Sequence, residues 1–159
     1  MSIRAQARLH RSPRFLLSDS SLSRGLCAGL LFAGAVHVDV GISHLPTLFG
    51  VGSLVIGVVQ SVAAVLATRR QDVWLWRATV VACITLVQLF AINTTLGLPP
   101  LIAHTHQPGT HAVFGMAFAY PNPLEPQGLV AQLAQALAIV CAWRLLARYA
   151  ASTRRSMPA

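Results

Sequence analysis

Four apolar runs, each about as long as a bilayer is thick, leave this chain few ways to fold. They cover residues 25–45, 47–68, 74–98 and 128–146, and the first three are closed by Pro46, by Arg69 and Arg70, and by Pro99 and Pro100. At ~1.5 Å of rise per residue, about 20 residues match a hydrocarbon core of ~30 Å. Helices satisfy every backbone N–H and C=O within their own segment, which lipid demands. The expected fold is therefore all-α, a four-transmembrane-helix bundle.

The sidedness of the arginines orients it. Arg4, Arg8, Arg11, Arg14 and Arg24 precede the first run, Arg69, Arg70 and Arg77 lie between the second and third, and Arg144, Arg148, Arg154 and Arg155 close the fourth. The other two connections, around Pro46 and from Pro99 to Gln127, hold no Lys or Arg. The positive-inside rule then predicts both termini in the cytoplasm of a multi-pass cell-membrane protein, N-in and C-in. Trp74 and Trp76 beside Arg77, and Trp143 beside Arg144, fit an interfacial aromatic belt.

Composition excludes the soluble alternatives. Of 159 residues, 55% are hydrophobic and only 10% charged, against roughly a quarter charged in a soluble domain. The net charge of +8 would suggest nucleic acid were it spread over one face. Here it sits in blocks flanking apolar runs, so nucleic acid is not an expected partner. Cys27, Cys83 and Cys141 lie inside apolar runs without a CxxC pair and read as small buried hydrophobes.

These features divide the chain into a basic tail over 1–22, a membrane domain over 23–149 with an outer loop at 99–127, and a second tail over 150–159. A competing pattern runs through the first span. The basic leader, Leu26 to Phe32, and Ala33-Gly34-Ala35 resemble a signal peptide whose cleavage would leave three spans starting at Val36. The length of the leader and the apolar stretch continuing to Leu45 favour an uncleaved helix; an intact mass distinguishes the two. Small residues recur every four positions at Gly25, Gly29 and Ala33, at Ser53, Gly57 and Ser61, and at Ala134, Ala138 and Ala142. That spacing lets helix backbones approach, within one chain, in a homo-oligomer or in a larger membrane complex.

Ionisable groups within membrane helices are costly and mark function by default. His37 and Asp39 stand roughly two-thirds of the way across the first span, and His44 follows His37 by seven residues on the same face. Asp39 projects about 160° away from His37. The outer loop adds His104, His106, His111 and Glu125. Imidazoles gathered in a short tract suit zinc or copper, so His37, His44, His104, His106, His111, Asp39 and Glu125 form the candidate metal-ligand set. The bland readings are solvated loop histidines and a His37 that bonds a neighbouring helix. Gln60, Gln88, Asn93, Gln132 and Gln135 are further polar groups in the spans.

Several short stretches carry a resemblance: His37 with His44 before the turn, Gly52, Gly57 and Gln60, Thr94-Thr95-Leu96-Gly97-Leu98-Pro99, and Leu124-Glu125-Pro126-Gln127-Gly128-Leu129. In these the chain resembles a group of uncharacterised small four-span integral membrane proteins of high-GC bacteria. The resemblance covers most of the chain and implies the four-span architecture, an uncleaved first helix, and His37 with Glu125 in one outer-leaflet site. The chain departs from the pattern in its longer H-x-H loop and in Gln132 and Gln135.

No G-x-S-x-G elbow, paired carboxylates or cysteine with a nearby base is present, so an enzyme is not expected. The leading expectation is a membrane protein binding a divalent transition metal at its outer side, for homeostasis, delivery or sensing. The alternatives are an accessory or assembly subunit of a larger complex and a small oligomeric transporter.

Overall fold

The computed structural model describes residues 19–69, 72–99, 109–113, 116–121 and 123–156. The elements are α1 (Asp19–Ser43), α2 (Leu48–Arg69), α3 (Val73–Thr95), a hairpin of β1 (Thr110–Val113) and β2 (Met116–Ala119), and α4 (Pro126–Ser156). All four helices are long and apolar enough to cross a membrane. The chain is a multi-pass integral membrane protein built as a four-helix bundle. One end carries the arginines that flank the helices, and the other carries His44, the α1–α2 turn and the β-hairpin. These are the arginine end and the histidine end.

α1 packs against both α2 and α4, α3 packs against α4, and α2 meets α3 at only a few residues. Glycines set the closest approaches. A methyl group built on Gly34 would fall 2.9 Å from the Gly57 carbonyl oxygen, and one on Gly57 would fall 2.7 Å from that of Gly34. On the α4 side, a methyl on Gly29 would fall 2.7 Å from the Ala134 carbonyl oxygen. The small-residue stripes are thus occupied inside this chain. Toward the arginine end they pack into a dry core of Leu22, Leu26 and Leu30, Ala64 and Ala67, Trp76, Val80 and Cys83, and Ala138, Cys141, Ala142 and Leu145.

The helix ends have local causes. Thr47 starts α2, its hydroxyl donating to the His44 carbonyl oxygen at 2.6 Å and accepting from Gly50 N–H at 3.1 Å. Asp72 caps α3 by accepting from Trp74 N–H at 2.8 Å. At its other end, Gly97 adopts φ +82. A side chain there would collide with the Ala119 carbonyl oxygen, while Ala119 N–H donates to the Leu98 carbonyl oxygen at 2.9 Å. The β-hairpin is thereby pinned to the end of α3.

Three expectations change. α1 begins within the segment read as a tail, where Asp19 places a carboxylate in the first turn and pairs with Arg148 of α4. α4 runs through Ser156, well into the second expected tail. Trp76 does not join the aromatic belt: it is 4% exposed, whereas Trp74 is 74% exposed and Trp143 63%. Two residues apart on a helix point about 200° from each other, so only one of Trp74 and Trp76 can face lipid. Trp74 takes that place, with the Arg77 guanidinium 5.3 Å from its ring centre.

Candidate functional site

In the arginine half α1 and α4 are in close contact; in the histidine half a cavity of about 640 Å³ separates them. The stripe on α1 explains the change. Gly25, Gly29 and Ala33 are small, but the next residues along the same face are His37, Val40 and His44. The bundle therefore divides into two hairpins, α1 with α2 and α3 with α4, joined at the arginine end and parted at the other. Gly41 against Leu54 and Gly50 against His44 keep the first hairpin closed to its turn. Gly128 against the Phe90 ring does the same for the second.

Four of the seven residues expected to form a site reach this cavity: His37, Asp39, His44 and Glu125 all line it. Asp39 does so although it lies about 160° from His37 around the helix. The cavity is broad enough to wrap that arc of α1, through Val36, Val40 and Ser43. His111 does not line it. That residue sits on β1, stacked on Tyr120 with ring centres 5.4 Å apart. His104 and His106 lie outside the described residues. Among the described residues no three His, Cys, Asp or Glu side chains gather closely enough to hold a metal ion.

The polar wall has a consistent character. His37 Nδ1–H donates to the Ala33 carbonyl oxygen at 2.8 Å, and His44 Nδ1–H to that of Val40 at 2.7 Å. A carbonyl only accepts, so each ring carries a proton on Nδ1. The hydroxyl of Ser43 donates to the Asp39 carbonyl oxygen at 2.8 Å, and that of Thr94 to the Phe90 carbonyl oxygen at 3.0 Å. Their donors are spent within their own helices, and what remains is acceptor capacity. With the carboxylates of Asp39 and Glu125, the histidine half is rich in acceptors. Among the described residues, Asn93, Gln127 and Gln132 add side-chain amide donors to the wall. Among the described residues that line the cavity there is no arginine.

The rest of the wall is apolar: Leu48, Phe49 and Ile56 from α2, and Leu86, Leu89 and Phe90 from α3. Sequence reasoning noted Asn93 and Gln132 as polar residues of the spans and did not read Leu86, Leu89 and Phe90 as a face. Its signal is the helical spacing of Leu86, Leu89, Phe90, Asn93 and Thr94, which puts them on one stripe. Comparison with family models, curated proteins and solved structures finds no match to this chain.

Proposed function

We propose that this protein is a membrane-embedded binding protein for an amphipathic amine, which it takes into the cavity from the histidine end. The observation that carries the reading is the pairing of an acceptor-rich, arginine-free polar wall with an apolar one in a single cavity. Its volume of about 640 Å³ falls within the range of small-molecule sites, roughly 300–1,000 Å³. An ammonium group supplies the donors and the charge that the Asp39 carboxylate calls for, and an alkyl or aryl body covers Leu86, Leu89 and Phe90. A carboxylate or phosphate head would meet like charge and, among the described lining residues, no arginine. The arginine half closes on a core of buried apolar side chains, which favours binding over conduction. By the arginine distribution the cavity opens on the outer side of a cell membrane.

The protein in lipid nanodiscs, titrated with octylammonium and with octanoate against empty discs, tests this. Octylammonium is expected to bind and octanoate not, and Asp39→Asn to weaken the amine at least about tenfold, a loss of about 1.4 kcal/mol. Equal binding of both probes, or an unchanged affinity in Asp39→Asn, overturns it.

One observation favours transition-metal binding as a second reading. Metal-ligating histidines characteristically donate their other ring N–H to an acceptor such as a backbone carbonyl, as His37 and His44 do. A zinc or copper site on these two would need a third ligand, from Asp39, Glu125 or the loop histidines His104 and His106. Equilibrium dialysis against Zn and Cu, repeated with His37→Ala and with His104→Ala/His106→Ala, separates the two ligands. The assembly-subunit reading drew on the small-residue stripes, which are occupied within the chain.

A further inference from the structure

Below the cavity, between its floor and the dry core, lies a layer that neither explains. Gln60 on α2 is 6% exposed and Gln135 on α4 is 0% exposed, and neither Nε2 nor Oε1 of either side chain has a hydrogen-bond partner. Gln132, three residues before Gln135 on the same face of α4, lines the cavity and has an orphaned buried Oε1. Five amide atoms are therefore unsatisfied in one region of a bundle that lipid surrounds. Buried polar groups are ordinarily paired.

α1 serves as a ruler for their positions. Gly34 faces Gly57, Ser61 and the Cβ of Gln60, while Gly29 faces Ala134 and Ala138, on either side of Gln135. Five residues of α1 separate those levels, about 7.5 Å. The two glutamines, each just inside its level, are closer in depth, within about one helical turn. They approach from different sides, since α2 and α4 each pack on α1 and not on one another. Helical side chains lean toward the helix N-terminus, and α2 and α4 both start at the histidine end. Each side chain thus leaves its helix toward the residue one turn above it, Ile56 for Gln60 and Ala131 for Gln135. Both of these line the cavity.

We propose that Gln60 and Gln135, with Gln132 at the entrance, form a second binding station for an uncharged group that both donates and accepts hydrogen bonds, such as a carboxamide. The station rests on the same cavity as the amine reading but uses none of its charge. A ligand with such a group at its buried end would satisfy the amides, while its remainder occupies the apolar wall above.

Octanamide is the probe, titrated into the protein in lipid nanodiscs beside octylammonium. Octanamide is expected to bind the native protein and to lose at least tenfold in affinity for Gln60→Met/Gln135→Met, which keeps side-chain length and removes the amides. It is expected to bind Asp39→Asn unchanged, and octylammonium to show the reverse pattern. With carbonyl-¹³C octanamide, the infrared carbonyl band should shift on binding to the native protein and not to the double variant. Failure of octanamide to bind the native protein, or equal binding to the double variant, overturns the station whatever octylammonium does. Binding of octanamide without octylammonium leaves the station standing and removes the amine reading.

Discussion

Asp39 stands in an apolar helix, lines the cavity and makes no ion pair with a described cation. A carboxylate in a membrane helix is costly, up to about 2.5–3.5 kcal/mol at the helix centre on insertion scales. Its retention therefore opposes stability, and the two properties should separate on mutation. Asp39→Asn is expected to melt higher in detergent than the native protein while binding octylammonium more weakly. A lower melting temperature would mean that the carboxylate serves the fold. Gly97 makes the opposite case. Its φ of +82 and the carbonyl of Ala119 lying where a side chain would go leave no room for a methyl group. Gly97→Ala should cost about 1–3 kcal/mol, loosening the β-hairpin first. Faster amide exchange at Ala119, whose N–H bonds the Leu98 carbonyl, reports it.

Between helices, the stripe on α1 decides where the bundle closes. Its small members Gly25 and Gly29 lie against α4, and its large ones, His37, Val40 and His44, line the cavity. A methyl built on Gly25 would stand 2.8 Å from the Cys141 sulfur. Gly25→Cys is therefore expected to form a disulfide with Cys141 under mild oxidation, because a Cβ that close to the partner sulfur suits the geometry of the bond. Non-reducing peptide mapping checks it, with Gly25→Cys/Cys141→Ala as the control. The spans, the four-residue stripes and the polar residues of α1 were all legible in the sequence, because hydropathy and helical spacing act along the chain. What was not legible depended on neighbours. The histidines and Asp39 suggested a ligand cluster, but their meeting with the Leu86–Phe90 face of α3 follows from which helices pack together. The burial of Trp76 and the pinning of the hairpin by Gly97 have the same origin.

At the scale of the whole molecule, charge and shape point the same way. Arg24, Arg69, Arg77, Arg144 and Arg148 belong to the end where the helices close on a dry core, and the acceptor-rich cavity belongs to the end without them. Retention of arginines on the cytoplasmic side would turn the cavity outward. Membrane-impermeant maleimide applied to intact cells tests this through introduced cysteines. The native cysteines interfere little: Cys83 and Cys141 are buried and Cys27 is half-buried, all three within apolar helices. Thr110→Cys, on the β-hairpin, should be labelled in intact cells. Ser152→Cys, exposed near the end of α4, should be labelled only after permeabilisation. The reverse pattern would turn the cavity toward the cytoplasm, so that its ligand must come from inside the cell. Labelling of both positions from outside would mean that the chain inserts in both orientations, with copies opening their cavities to opposite sides of the membrane.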